Sequence, residues 1–434
     1  MPTTPATPPA DERAIGLEFY ATGAPGVPGR LKGTSDDFEV TEIASYPRPD
    51  PEGAYTVLRV RSHDWEQHEL ARAIARRLAL PPHAVKWAGT KDRRARSERL
   101  LSYRGPPPER ALELRDVEIV EAYRSRDGLV LGHHYGNRFR VRVDALAAPV
   151  AEAQAAYRAV EAELRAAGGF PNFFGPQRFG EVRPVTAQVG RWLVRGEAGA
   201  AVEEYLVALP PGTPPGPGDA ARRTYAETHD AARALREFPG EYSFERTLLE
   251  HLARGHAPER ALRALPRELR LLFVHAYQSL LFNRWLSRRH REGLPFDRPV
   301  AGDRIVRFER DGTLRSHEAS AIGTDNLPEG TDLVARGRAV VAGPLLGFDS
   351  PRDAGRPGEL FDAVLREEGV ERAQFRLPIA PEVASAGAWR PIRVALPPLA
   401  LEAEPEAIRF GFALPRGAYA TVLLREFLKR GAAA

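Results

Sequence analysis

The chain has 434 residues, enough for two domains or for one domain carrying a large insertion, and it contains no cysteine. Disulfides, thiolate nucleophiles and cysteine-bound zinc are thereby excluded. The formal charge is only +4 and nearly every basic residue is arginine, so the few lysines (Lys32, Lys86, Lys91 and Lys429) stand out as retained primary amines.

Residues 1–14 are rich in Pro and Thr and hold no apolar run, which reads as a disordered leader rather than a signal peptide. No window approaches the roughly 18 apolar residues of a membrane span. A cytoplasmic protein without a membrane partner is expected. Asp37–Ile43, where apolar residues alternate with polar ones, reads as a strand, and Tyr55–Val60 as a second. Glu66–Leu80 has the helical period, with Leu70, Ile74 and Leu78 on one face. Short strands are predicted at Ala84–Trp87, Arg99–Tyr103, Val117–Glu121 and Phe139–Val143. A helix over Pro149–Ala167 turns Tyr157, Val160 and Leu164 inward and ends before Gly168. Helices dominate from Pro184 to Arg291, broken by the Pro/Gly linker Leu209–Gly218. The longest, Pro266–Arg291, carries a stripe of Leu269, Leu272, Phe273, Ala276 and Leu280. From Ile305 short strands and loops return, and the chain closes on a strand at Ala407–Ala413 and a helix at Ala420–Lys429. Strands, then helices, then strands suggest an α+β domain interrupted by a second one.

Three segments carry candidate chemistry. In Trp87–Arg94 (WAGTKDRR) a carboxylate, Asp92, sits on a glycine-flanked loop among Lys91, Arg93 and Arg94, charges that would keep it ionised. An acid in a turn beside arginines is more often a solvated ion pair. Pro171–Gly180 (PNFFGPQRFG) sets two aromatics among Asn172, Gln177 and Arg178, a face on which an unstacked base could rest, or a small apolar anchor for a loop. In Leu31–Glu42 (LKGTSDDFEVTE), Lys32 could serve a carboxylate or a phosphate, though a surface lysine has the same look. No Walker A sequence, strand–GxGxxG–helix, GxSxG or HExxH occurs, and the histidines have no metal-ligand spacing, so neither metal nor nucleotide cofactor is expected.

Taken in order, LKGTSDDFEVTE, WAGTKDRRARSE, PNFFGPQRFG, HAYQSLLFN and FALPRGAYAT resemble the TruD family of tRNA pseudouridine synthases. The resemblance implies an α+β catalytic domain with a mixed, largely antiparallel sheet, formed by residues 15–197 and 387–434 and interrupted by an inserted TRUD domain over 198–386. It implies a cofactor-free isomerase whose partner is RNA, with uridine 13 of tRNA as the default target. It puts the nucleophile on Asp92, its basic partner on Lys32, the active-site asparagine on Asn172, the base-stacking aromatic on Phe174 and a second aromatic wall on Phe412. Asp92 could act by attack on C1′ or C6, or by drawing a proton from C2′. Ser62, Glu66, Gln67 and Arg99 depart from the family pattern, which bears on the RNA-contacting surface. Two other readings stay open: an RNA-binding or RNA-folding protein without catalysis, and an unrelated Asp-dependent glycosidase, which would need a second carboxylate beside Asp92.

Overall fold

A computed structural model describes residues 6–430, apart from 45, 111, 181, 211–212 and 310–311. The chain packs as two compact units, one of residues 22–170 with 395–430, the other of residues 6–21 with 171–394. The insertion expected over 198–386 falls inside the second unit, which also takes in 171–197 and 387–394.

The first unit is built on a nine-stranded sheet. Its strands are β1 (Arg30–Leu31), β2 (Phe38–Ile43), β3 (Tyr55–His63), β4 (Lys86–Trp87), β5 (Arg96–Arg104), β6 (Val117–Ser125) and β7 (Gly136–Asp144), with Ala400–Glu404 and Ala407–Pro415 from the end of the chain. The order runs Ala400–Glu404, Ala407–Pro415, β7, β2, β5, β3, β6, with β1 on β7 and β4 on β5. Only β2 and β5 run parallel. The other pairs are antiparallel, including Ala407–Pro415 on β7. The sheet is therefore mixed and largely antiparallel, as expected.

Alternation drives this arrangement, because one phase of each strand must be covered. Along β2, Phe38, Val40 and Glu42 are buried while Glu39, Thr41 and Ile43 are half-covered. The helix Gln67–Arg77 lays Leu70, Ala71, Ile74 and Ala75 on Leu58, Val60, Val85, Leu101 and Tyr103. A second helix, Val150–Ala166, buries Tyr157, whose ring meets Phe410 and Phe427.

The second unit holds the helices from Thr186–Arg195 to Arg267–Arg291, and the break between Ala198–Val207 and Asp219–Thr228 coincides with the Pro/Gly linker. A four-stranded sheet follows, ordered Leu314–Ala321, Arg304–Phe308, Ala339–Leu345, Ala388–Pro391. Three expectations need correction. Of the leader expected over 1–14, residues 1–5 lie outside the described residues, while Ala10–Ala14 is helical, and Asn283 and Ser287 donate to the carbonyls of Ile15 and Gly16 that follow it. Gly355–Glu368 is a helix, whose opening Gly-Arg-Pro-Gly conceals an apolar face of Leu360, Phe361, Val364 and Leu365. Along Arg267–Arg291, Leu272 is exposed while Phe273, Ala276 and Leu280 are buried together with Val274, Tyr277 and Phe282, so the buried face is wider and rotated.

Candidate active site

Asp92 stands on the loop between β4 and β5, and Lys32 on the turn between β1 and β2. The turn is set by a capping arrangement in which the Thr34 backbone N–H and hydroxyl donate to Asp37 Oδ2 at 2.7 and 3.0 Å. Lys32 adopts φ +54°, a left-handed conformation that costs an L-residue about 1–2 kcal/mol. This conformation accompanies a short contact: Lys32 Nζ lies 2.6 Å from Asp92 Oδ2 and 4.3 Å from the centroid of the Phe38 ring. The lysine side chain is 14% exposed and that of Asp92 38%. The ammonium is thus largely dry while the carboxylate still meets solvent, and among the described residues no partner occupies its Oδ1.

Of the three charges expected around Asp92, only two are free to act from solvent: Arg93 and Arg94 are exposed. Lys91 instead enters the core, where its Nζ lies 2.6 Å from Glu42 Oε2, with the two side chains 2% and 1% exposed. Burial pulls the Lys91 pKa below the ordinary lysine range, and Glu42 works against that shift. The pair joins the residue before Asp92 to the middle of the sheet. Its sequence signal was available: Glu42 falls on the apolar phase of FEVTE, and an acid there needs a partner. Removing one member of a buried pair usually costs about 3–5 kcal/mol, whereas apolar replacement of both is often neutral. Glu42→Leu should therefore lower the urea unfolding free energy by about that amount, and Glu42→Leu/Lys91→Met should recover most of it. A single variant as stable as the parent would contradict the pairing.

The loop is closed from the other side by His134. A Cβ at Gly89 would lie 2.9 Å from its ring, so only glycine allows this approach. Burial pushes the His134 pKa below its usual value and favours neutral imidazole.

Phe412 lies in the same unit, directly across from Phe139 in the strand register, with ring centroids 5.4 Å apart. Phe139 in turn meets Phe38 at 5.9 Å. A row of aromatic rings, Phe412–Phe139–Phe38, thus ends under the Lys32 ammonium.

Asn172 and Phe174 belong to the second unit. The Asn172 amide donates to the Pro391 carbonyl at 2.9 Å, and its Oδ1 accepts from Arg390 at 2.7 Å. Arg390 lies over the Phe174 ring at 3.9 Å, and Phe282 meets that ring edge-on. The Phe174 backbone N–H donates to Asn283 Oδ1 at 2.8 Å, which gives HAYQSLLFN its role as a clamp on PNFFGPQRFG. Arg390 was not singled out in the sequence, because nothing local marks a strand arginine 218 residues away from its partner.

Three of the four departures from the family pattern, Ser62, Gln67 and Arg99, are buried. Arg99 donates to Gln67 Oε1 at 2.6 Å, to Ser62 Oγ at 3.3 Å and to Ser97 Oγ, and all four residues are buried. Burial draws the Arg99 pKa down to about 10, with Glu42 and Glu66 opposing, so it stays charged at neutral pH. Glu66 caps the helix Gln67–Arg77, accepting from the His68 and Glu69 N–H groups. The expected link to the RNA-contacting surface is thus corrected for Ser62, Gln67 and Arg99: they form one polar cluster between sheet and helix.

Among the described residues, no three His, Asp or Glu side chains gather in a way that could hold a metal ion. No helix is long and apolar enough to cross a membrane.

The sequence matches the family model of tRNA pseudouridine synthase D (TruD) over residues 14–427. The chain belongs to the TruD family. A Halobacterium salinarum protein named "Probable tRNA pseudouridine synthase D" is 40% identical over 96% of this chain and 97% of its own. A Thermococcus gammatolerans protein of the same name is 36% identical over 96% and 99%. The crystal structure of a Methanosarcina mazei protein of that description superposes with a TM-score of 0.82 at 32% identity, covering 98% of each chain.

Proposed function

We infer that this TruD-family chain is an isomerase that converts uridine to pseudouridine in RNA, with uridine 13 of tRNA as its target, and that Asp92 is its nucleophile. The observation that carries the reading is the Lys32–Asp92 contact: a 38% exposed carboxylate on a short loop, ion-paired through Oδ2 to a lysine whose side chain is 14% exposed. The reaction breaks the N1–C1′ bond, turns the base and joins C5 to C1′, releasing the C5 proton. It has no net redox change and calls for no cofactor. A carboxylate held by an ammonium at 2.6 Å suits attack on C1′ or C6 and removal of the C2′ proton alike. The uridine must first leave its stack, which costs a few kcal/mol. Asn172 and Phe174 take the roles of orienting and stacking on the base, and Phe412 forms the second wall. The enzyme works in the cytoplasm without a membrane partner.

Because C5 loses its hydrogen only when the new bond forms, tritium released from tRNA labelled at uridine C5 measures the reaction directly. Stoichiometric release is expected from the purified chain. RNA binding without release would instead identify a protein that only holds RNA.

Phe174→Leu retains apolar bulk but removes the π face. Base stacking contributes about 1–3 kcal/mol, so kcat/KM should fall about tenfold or more. Unchanged kcat/KM would assign the ring to packing alone.

A further inference from the structure

The loop Arg126–Tyr135, between β6 and β7, carries two apolar side chains that the fold does not use. Val130 is 54% exposed and Leu131 70%. Single exposed apolar residues are ordinary, but these two are held on a rigid frame. The His133 N–H donates to the Val130 carbonyl at 3.0 Å and Gly132 has φ +90°, which makes Val130–His133 a type II turn with Leu131 at its corner. The turn is fastened on both flanks. Leu129 is buried and its N–H donates to Ser102 Oγ at 2.8 Å. Tyr135 N–H reaches the Ile43 carbonyl at 2.9 Å, and the Arg416 guanidinium donates to the Gly132 carbonyl.

The decisive contact is with the Asp92 loop itself: Gly132 N–H donates to the Ala88 carbonyl at 2.7 Å, four residues before the carboxylate. An exposed leucine thus stands on a turn bonded to the reacting loop, which carries the exposed Arg93 and Arg94 further along, and the exposed Arg416 bonds the turn itself. Arginines suit phosphates, and an exposed apolar tip suits the faces of stacked bases. We propose that Val130 and Leu131 form a wedge that enters the base stack beside the target uridine and fills the space it leaves on extrusion. The wedge offsets the lost stacking and so lowers the cost of presenting the uridine to Asp92. The proposal rests on Asp92 being the reacting group, but it concerns a separate step.

That separation makes it testable without chemistry. The probe is a tRNA with 2-aminopurine in place of the nucleotide following the target uridine, whose fluorescence rises when its stacking is broken. With Asp92→Asn protein, binding should raise the signal about fivefold or more, and Leu131→Ser in the same background should bind within about threefold yet lose most of the rise. Leu131→Met should restore it. With Asp92 intact, Leu131→Ser should lower kcat on native tRNA about tenfold. An undiminished rise with Leu131→Ser, or no rise with either protein, overturns the wedge. Full product formation by Asp92→Asn overturns the role of Asp92 instead, and the two failures are therefore told apart.

Discussion

Replacing Asp92 by Asn should remove product formation while leaving the fold and tRNA binding near normal. Asparagine is almost isosteric with aspartate, and the Asp92 side chain makes one ion pair at a partly exposed position. The carboxylate is 38% exposed and an amide oxygen in its place can still accept from the Lys32 ammonium, so the stability change should be small. The amide cannot act as nucleophile or base at C1′, C6 or C2′. Losing a nucleophile commonly costs more than about a thousandfold in kcat. Single-turnover assays with enzyme in excess, beside filter binding of the same tRNA, separate the two effects. Turnover within tenfold of the parent would remove Asp92 from the chemistry.

Lys32→Met should be the next most damaging change. Its side chain is 14% exposed and its Nζ lies 2.6 Å from Asp92 Oδ2, so the variant exchanges a charge-assisted contact for an apolar one beside the Asp92 carboxylate. Removing one preorganised electrostatic partner typically costs about 10²–10³ in kcat. KM for tRNA should change little, because the amine is engaged within its own unit. Lys32 also holds φ +54°, a conformation that glycine adopts without strain. Lys32→Gly should thus be as stable as the parent, or more so, while losing as much activity as Lys32→Met. A fall in thermal stability with activity retained would make the lysine a structural residue. An unchanged kcat in either variant would exclude it from the site.

The parts of the fold that could be read from the sequence are those governed by local periodicity. Alternation in FEVTEI and the helical stripe of Leu70 and Ile74 each reflect a single covered face, whereas YTVLRV is covered on both, with Val57 and Leu58 both buried, and the strands and helix lie where the sequence puts them. The helix Gly355–Glu368 was obscured because its first turn is written in residues that ordinarily break helices. On the longest helix, the buried face also receives Gln278, Asn283 and Arg289, whose polarity hides it from any hydrophobic stripe.

The site divides in the same way. Asp92 and Lys32 are 60 residues apart, and their pairing came from family resemblance; neither segment alone favours it over a surface charge. Lys91 looked like a neighbour of Asp92 because adjacent residues share a loop, yet its side chain goes to Glu42, 49 positions away. Which of two lysines meets which acid is decided by strand order, and that is a tertiary property. Arg99 was misplaced for a related reason: a charged residue reads as surface until its buried partners, Gln67, Ser62 and Ser97, are known together.

Nucleotide-resolution mapping of pseudouridine in unmodified tRNA, incubated with the parent protein or with Asp92→Asn at equal concentration, is the most direct measurement. The expected result is one new pseudouridine, at position 13, formed by the parent and missing with the variant. Pseudouridine formed equally by both proteins, or by neither, would contradict the assignment of Asp92 and Lys32 as the reacting pair.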